Sequence, residues 1–301
     1  MNNTKYLSFP EGIVDAVLDT DAYNEIDDQF AIAYMLLSPD RIRTCALYAA
    51  PFHNEKSDSY ADGMERSYHE INKILSLMGE PHTQIPVFRG ETARVDDINA
   101  PEPSEAVLDL IERAKNYTSD RRLYVIAIGA ITNVARAIIL DPSIVERITV
   151  IWLGANGHHW PHNSEFNLNG DVTAARTVMS SGVPFISLPC VGVVSAFTTT
   201  EPELRFWLGG KNALCDYLVE NTVEAAEKYA KGKPWTRVIW DACAVGWLVG
   251  GDKLMISDVR EIRLPSYTHT YEEPIKGSSM RYVYEIKRDA LLEDMIQKLT
   301  K

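Results

Sequence analysis

The sequence predicts an α/β protein, built on an open and mainly parallel sheet that is flanked by helices, with further helices in its C-terminal third. Two features of the 301 residues lead to this prediction. Short apolar runs alternate with amphipathic stretches of helical length, as they do in successive βαβ units. Some of the short runs, such as residues 125–128, are apolar at every position, which is typical of strands that are buried on both faces.

The predicted elements follow this rhythm up to about residue 188. We predict strands at residues 13–18, 42–50, 85–88, 123–128, 148–153 and 183–188. We predict helices at residues 26–37, 59–78, 104–116, 131–140 and 172–181. Beyond them we predict helices at 202–231 and 241–249, strands at 259–264 and 280–286, and a closing helix at 289–299. No repeat or Gly/Ser-rich linker divides the chain, so we expect one domain over residues 1–301.

Charge and composition argue against several classes of protein. The formal net charge of -12 disfavours binding to nucleic acid, because phosphate recognition needs a basic face. No apolar run approaches the length of a membrane span, and the opening segment lacks the pattern of a secretory signal. The four cysteines are scattered without the spacing of a zinc site, which predicts free thiols in a reducing cytoplasm.

Acidic residues cluster where the first predicted strand gives way to the first predicted helix. Asp19, Asp21, Glu25, Asp27 and Asp28 fall within ten positions. Ligands of parallel α/β sheets bind outside the carboxyl ends of the strands, so the end of this strand and the first helical turn should face one crevice. Ligands that offer only oxygen indicate a hard cation, Ca²⁺ or Mg²⁺.

A simpler interpretation makes Asp27 and Asp28 ordinary residues of a helix start, where the helix dipole stabilises each carboxylate by about 0.3–1 kcal/mol. Two carboxylates about 4 Å apart, however, repel by roughly 4 kcal/mol at an effective dielectric constant near 20. A helix dipole cannot offset several such pairs, whereas a divalent cation can. We therefore favour a metal site.

A second motif joins a buried strand to a helix through Gly129. Because glycine allows the backbone to approach a ligand closely, the carbonyl of Ile128 could face the same crevice. Thr132 and Asn133 follow at the helix start, and they could equally be helix caps.

Two further segments carry candidate binding residues. Asn156 opens a loop rich in aromatic and imidazole groups, and it is followed by Glu165 and Asn167 in a stretch that we expect to be extended. A carboxylate and an amide two residues apart could then both reach sugar hydroxyls, although a solvated loop would have the same composition. Later, Trp240 directly precedes Asp241 at a predicted helix start, where Asp241 could also be a plain N-cap.

Together these segments resemble the nucleoside hydrolase family, including its inosine–uridine-preferring and purine-specific members. The resemblance covers about residues 13–250 and rests on four motifs in the family's order, namely Asp19-Thr20-Asp21 with Asp27-Asp28, Gly129-Ala130-Ile131-Thr132-Asn133, Glu165-Phe166-Asn167 and Asp241-Ala242. The chain departs from the family's usual DPGxDD opening, since its loop from Asp21 to Asp27 is two residues longer and contains Asn24-Glu25.

The resemblance implies a calcium site at the acidic cluster. Asp21 would be a calcium ligand and the general base for the water nucleophile. Asp28 would bind the ion through both carboxylate oxygens, and Asp241 and the carbonyl of Ile128 would complete the protein ligands.

The resemblance also implies how a ribonucleoside would be held and cleaved to ribose and a free base. Asp27 and Asn167 would bind the 2′- and 3′-hydroxyls of the ribose, and Glu165 would bind the 5′-hydroxyl. Members of the family are usually dimers or tetramers, so a homo-oligomer is expected.

The residue at position 240 bears on the leaving base. Many pyrimidine-accepting members carry a histidine there as the acid for the leaving group, whereas purine-specific members carry a tryptophan. Trp240 would stack on a purine, so we expect purine nucleosides to be favoured. His53, His158 and His159 are alternative proton donors, although each could be only structural or solvated.

Two other functions are consistent with parts of the sequence. A phosphatase of the haloacid dehalogenase type also begins with a DxD after a buried strand, but we find no convincing set of its later residues. A non-catalytic ribonucleoside-binding protein could keep the metal site and lack the machinery for the leaving group.

Overall fold

A computed structural model describes residues 3–97 and 102–301. The strands in this part of the chain are β1 (Val14–Thr20), β2 (Ile42–Ala49), β3 (Val87–Arg89), β4 (Leu123–Ala127), β5 (Ile148–Leu153), β6 (Phe185–Leu188), β7 (Thr198–Thr199), β8 (Arg237–Val238), β9 (Met255–Arg260) and β10 (Met280–Ile286). The α-helices are α1 (Asp27–Leu36), α2 (Tyr60–Met78), α3 (Glu105–Ala114), α4 (Thr132–Leu140), α5 (Phe166–Gly170), α6 (Val172–Ser180), α7 (Glu201–Trp207), α8 (Ala213–Ala230), α9 (Ala242–Gly250) and α10 (Arg288–Leu299). Short 3₁₀ turns lie at Asn3–Leu7, His82–Gln84, Val95–Asp97, Pro142–Glu146, Val194–Ala196 and Gly251–Lys253.

Eight of these strands form one sheet in the order β3-β2-β1-β4-β5-β6-β10-β9, and all neighbours are parallel except β10 and β9. The chain builds outward from β1 in one direction through β2 and β3, and then resumes on the other side of β1 with β4. The carboxyl ends of β1 and β4 therefore form the point where the strand order reverses, which is where open α/β sheets bind ligands. The predicted fold class is confirmed.

Both faces of the sheet are covered by helices. Leu18 and Ile126 belong to a core shared with α1, α2, α8, α9 and α10, whereas Val17 and Val125 face a second core with α3, α4 and α6. Successive strand residues point to opposite faces, so a strand buried on both sides must be apolar at every position. This is the physical reason for the continuous apolar runs in the sequence.

Helices α1 and α9 are buried on all sides and pack against each other beneath the reversal point. Both helices contain buried alanines, such as Ala31 and Ala33 in α1 and Ala244 in α9. Both helices begin at the same edge of the sheet. The acidic residues at their starts are consequently brought together by helix packing.

The structure differs from the prediction in the C-terminal third. The helix predicted at 202–231 is two helices, α7 and α8, separated at Gly210, whose φ of 71° is unfavourable for other residues. Asn212 then caps α8 by accepting a hydrogen bond from the amide of Cys215 at 2.8 Å. The strand predicted at 259–264 lies earlier in the chain, as β9. It ends at Arg260, because the last residue pair between β9 and β10 is Arg260 with Met280.

One further feature was not predicted. Strands β7 and β8 form an antiparallel ribbon of two residues each, too short to give a sequence pattern.

Within the described part of the chain, none of the helices is both long enough and apolar enough to span a bilayer.

Candidate active site

A cavity of about 420 Å³ opens at the carboxyl edge of the sheet, over the ends of β1, β4, β5 and β6. Its lower part is made of buried side chains, and we call these residues the floor: Asp21, Asp27, Asp28, Ile128, Asn167 and Asp241. Its opening is made of half-buried and exposed side chains, which we call the rim: Glu25, Asn54, Glu55, Ser164, Phe166 and Trp240. Asn24, Leu153, Glu165, Cys190 and Val191 complete the wall between them.

Three carboxylates meet at the centre of the floor. Asp27 and Asp28 lie in the first turn of α1, and Asp241 lies at the start of α9. One oxygen atom from each of the three lies within 4.8 Å of the others. The side chain of Asp241 does not cap α9, and the residue at the cap position of α1 is Ile26, so helix capping does not explain the cluster.

Asp21 lies beside this group, directly after β1. It is 1% exposed, and its Oδ2 atom has no hydrogen-bond partner among the described residues. A β-carbon at Gly129 would lie 2.8 Å from Oδ1 and 3.0 Å from Cγ of Asp21. Gly129 is therefore needed so that the turn after β4 can fit against the Asp21 carboxylate. We expected the glycine to allow a close approach to a ligand, but the group that it approaches is a side chain of the protein.

Burial and mutual repulsion make the floor unfavourable for anions. Burial, followed by the charge of Asp28, raises the pKa of Asp27 to about 7, and burial raises the pKa of Asp28 to about 6. Burial and the neighbouring carboxylates hold the pKa values of Asp21 and Asp241 well above the usual aspartate range. The hydroxyl of Thr20 donates to Asp28 at 2.5 Å, but a single hydroxyl cannot neutralise this group.

The floor is suited to a hard divalent cation. The floor atoms that could serve as ligands are carboxylate, amide and carbonyl oxygens, and buried oxygens of Asp21 and Asp27 lack partners within the described residues. A cation there would remove the repulsion that raises the pKa values. The tightest group, however, contains Asp27 together with Asp28 and Asp241, whereas the resemblance assigned Asp27 to the sugar and Asp21 to the ion.

Asn167 ties two strand ends together at the edge of the floor. Its Nδ2 atom donates to the carbonyls of Ile128 and Leu153, each at 3.0 Å, so it holds the ends of β4 and β5 in place. The Oδ1 atom of Asn167 and a lone pair on the Ile128 oxygen are left for other partners.

Glu165 has the extended backbone that we predicted, but a short helix begins directly after it, so the prediction is corrected for Asn167. Glu165 is the N-cap of α5, and its carboxylate accepts backbone hydrogen bonds from Asn167 and Leu168, both at 2.9 Å. It also accepts one from Ala155 at 2.8 Å, after β5. Glu165 and Asn167 therefore line the cavity because they lie at the start of this short helix. Burial raises the pKa of the Glu165 carboxyl group.

Asn156 is the one predicted site residue that the structure does not place on the cavity wall. It is 0% exposed, and its amide donates to the carbonyls of His162 and Ser164 while its Oδ1 atom accepts from the amide of Val191. All of these are backbone groups. Asn156 therefore fastens two loops together behind the cavity, and the side chain has no free face for a ligand.

None of the three candidate histidines lines the cavity. His158 packs against the rings of Tyr282 and Tyr271 at centroid distances of 4.4 and 4.7 Å. Burial lowers the pKa of His158 to about 4, so it is neutral near pH 7. His53 is exposed, and its ring lies tilted against that of Tyr60 at a centroid distance of 5.7 Å.

Asn133 supports the floor from beneath. Its Nδ2 atom donates to Oδ1 of Asp19 at 2.7 Å and to the carbonyl of Ala49 at 3.3 Å, and its Oδ1 atom accepts from the amide of Glu91 at 2.7 Å. These contacts join the ends of β1 and β2 to the segment after β3. The family motif at this position thus contributes a structural tie and not a helix cap.

The sequence did not identify most of the rim. The longer loop after β1 is held by the loop after β2, since Nδ2 of Asn54 donates to Oδ1 of Asn24 at 2.6 Å and the ammonium of Lys56 donates to the Asn24 carbonyl. On its other side, Glu25 forms an ion pair with Arg237 of β8. The sequence showed that the loop from Asp21 to Asp27 is longer than usual, but it did not indicate which residues this loop contacts.

Several known proteins are similar to this chain in sequence or in fold. Pyrimidine-specific ribonucleoside hydrolases named RihB, from Escherichia coli O1:K1 and Shigella flexneri, are 29% and 26% identical over 191 residues, which are 61% of this chain and 57% of theirs. The chain thus spans less than two thirds of the length of these relatives. A plant nucleoside hydrolase, PpNRh1, shares the fold with a TM-score of 0.75 at 16% identity, covering 95% of this chain and 99% of that one. A purine-preferring ribonucleoside hydrolase from Gardnerella vaginalis has a TM-score of 0.71 at 19% identity, covering 95% and 98%.

The family model for inosine-uridine preferring nucleoside hydrolases matches residues 16–289. This match contains the four motifs, the floor and the reversal point of the sheet. The chain therefore belongs to the inosine-uridine preferring nucleoside hydrolase family.

Proposed function

We propose that this protein hydrolyses the N-glycosidic bond of ribonucleosides, releasing ribose and a free base. The observation that carries the proposal is the group of buried carboxylates at the reversal point of the sheet, below a cavity of about 420 Å³. Family membership supports the same reaction and removes the haloacid dehalogenase alternative. The relatives' names include pyrimidine-specific and purine-preferring enzymes, so they leave the base open.

We propose Ca²⁺ as the cofactor, held by Asp21, Asp28, Asp241 and the carbonyl of Ile128. The donor set is entirely oxygen, which favours Ca²⁺ or Mg²⁺, and four buried aspartates suit the larger ion with its more flexible geometry. Asp27 is close enough to the other two carboxylates to be a further ligand. When bound, the ion would supply an anchor for the water nucleophile and for the ribose diol.

Within this site Asp21 would take the proton from the attacking water. Its Oδ2 atom has no hydrogen-bond partner among the described residues and is therefore left to accept a proton from water. Asp27 and the free Oδ1 atom of Asn167 would bind the 2′- and 3′-hydroxyls, and Glu165 would accept from the 5′-hydroxyl. Since the sugar would lie on the floor, the base would project into the rim.

We propose a preference for purine nucleosides, because the rim presents two aromatic faces. Trp240 is half-buried and Phe166 is 40% exposed, and both line the cavity. Stacking of a base on an aromatic side chain is worth about 1–3 kcal/mol, and a purine offers the larger overlap.

We further propose one domain, a homo-oligomer and a cytoplasmic location. Strand β10 from the C-terminal third pairs with β6, so the sheet joins both halves of the chain. The four cysteines are free thiols, which suits a reducing compartment. Light scattering of the purified protein tests the oligomeric state.

The decisive experiment is a panel of inosine, adenosine, uridine, cytidine and 2′-deoxyinosine, with p-nitrophenyl phosphate as a control substrate. After treatment with EDTA, activity should return with Ca²⁺, should be highest for the purine ribonucleosides, and should be low for 2′-deoxyinosine. Uridine as the best substrate would overturn the purine preference alone. Binding of ribonucleosides with no turnover of any would instead identify a non-catalytic binding protein.

A further inference from the structure

The charge of the cavity is strongly one-sided. Among its described lining residues seven are acidic and none is lysine, arginine or histidine. Two basic residues lie beside the rim: Arg237 pairs with Glu25, and Lys56, whose ammonium donates to the neutral carbonyl of Asn24, keeps its positive charge. Together they can offset only two of the seven acidic charges. A divalent ion on the floor would offset only part of this charge. The cavity should therefore attract cations and repel anions.

The rim combines this charge with aromatic faces. Trp240 and Phe166 line the opening near Glu25 and Glu55. A cation held over an indole or phenyl face is attracted by the ring quadrupole, and the attraction grows where water is excluded. A neutral base would use only the stacking component of these contacts.

None of the described residues that line the cavity carries an imidazole to protonate a leaving base. His53, His158 and His159 lie off the wall of the cavity, and Trp240 carries no acidic proton that is useful near pH 7. A neutral purine departs as an anion unless it gains a proton. A base that is already cationic departs as a neutral molecule and needs none.

We propose that the preferred substrates are ribonucleosides whose base is a permanent cation, such as a purine alkylated at N7. This inference rests on the proposed function and names its substrate class. Water attacks C1′ and gives its proton to Asp21 and then to solvent, while the C1′–N bond breaks and its electron pair stays on the base. The cationic base becomes neutral, so the products are ribose, the neutral base and one proton.

The test compares 7-methylinosine with inosine in mildly acidic buffer, where 7-methylinosine keeps its N1 proton, so that the two differ by one methyl group and one charge. We expect kcat/KM to be higher for 7-methylinosine, with a KM lower by about tenfold, and a KM that rises with ionic strength. N7-methylation also weakens the bond intrinsically, so variants of the rim must separate recognition from reactivity. Glu55→Gln and Trp240→Leu should each reduce the ratio of the two kcat/KM values by about threefold or more. Trp240→Phe should give an intermediate loss.

Glu227→Gln is the matched control, because it removes one exposed carboxylate on α8 that does not line the cavity. It should leave the ratio unchanged. Equal or better hydrolysis of inosine by the wild-type protein would overturn the inference, and so would a ratio that both folded rim variants leave intact. Failure to hydrolyse either substrate would instead contradict the proposed function.

Discussion

The floor and the rim of the cavity are held in place by different means. Floor residues lie at strand ends or in the first turns of buried helices, and the carboxylates are at most 4% exposed. Backbone groups and the side chains of Asn133 and Asn167 fix the strand ends around them. Rim residues lie on longer connections and are held by a few side-chain contacts, such as Asn54 with Asn24 and Arg237 with Glu25.

This difference suits the different tasks that we propose for the two regions. A charge cluster that must bind an ion and position water requires rigid support, because small displacements cost rate. Residues that select the base need only present the right surface, and loops can change without disturbing the sheet. Floor substitutions should therefore abolish turnover, whereas rim substitutions should change which base is accepted.

The largest effect is expected for Asp21→Asn. The amide keeps the shape of the side chain but cannot accept a proton from water, so kcat should fall by about 10²–10⁴-fold. Asp252→Asn is a suitable control, since it lies beyond the far end of α9 and outside the cavity. Steady-state kinetics and circular dichroism of both variants make the comparison. If folded Asp21→Asn retained near-wild-type turnover, Asp21 would lose its place as the base.

A smaller effect is expected for Gly129→Ala, which tests whether support of the floor matters as much as its chemistry. The new β-carbon would lie 2.8 Å from Oδ1 of Asp21 and would displace that carboxylate. A displacement of this kind should lower kcat/KM by roughly 10–100-fold. In a double-mutant cycle with Asp21→Asn, Gly129→Ala should add little further loss, because both act on the same carboxylate. Fully additive losses would show that Gly129 acts elsewhere.

The contrast between floor and rim also explains which residues of the site could be predicted from the sequence. Asp21, Asp27, Asp28 and Asp241 could be predicted because they follow strands or begin helices, and the fold brings such positions to one edge. Eight of the nine predicted site residues lie on the cavity wall, and Asn156 does not. Its amide satisfies buried backbone groups, a use that residue type and sequence spacing cannot distinguish from ligand binding.

Most of the rim could not be predicted, since its partners are distant in sequence. Trp240 is the exception, because it directly precedes the predicted ligand Asp241. Glu25 meets Arg237 only because the short ribbon of β7 and β8 crosses beside the loop after β1. The helix over residues 166–170 was also missed, because its start depends on the Glu165 carboxylate, which accepts hydrogen bonds from backbone amides of two separate segments. Contacts of this kind arise from tertiary structure and leave no local pattern.

The smallest effect concerns the pH dependence of the melting temperature, and it should depend on the floor residues and not on the rim residues. In the folded protein the pKa of Asp27 is raised to about 7 and that of Asp28 to about 6, from an ordinary value of 3.8. The folded state therefore binds protons more tightly than the unfolded chain. This advantage is complete below the unfolded pKa and is lost as the pH rises through the folded values. Without calcium, the melting temperature should fall between about pH 4 and pH 7, by on the order of 5 °C.

With millimolar Ca²⁺ the fall should disappear or reverse, because the ion binds the ionised carboxylates of the folded state. The difference in melting temperature between calcium and EDTA should consequently grow with pH. Asp27→Asn should flatten the EDTA curve, since it removes one of the raised groups and its repulsion. Glu55→Gln on the rim should leave the curve unchanged, as that side chain is exposed. A melting temperature that rises with pH in EDTA would mean that the carboxylates of the floor are already stabilised as anions without an ion, and the calcium assignment would then lose its main electrostatic support.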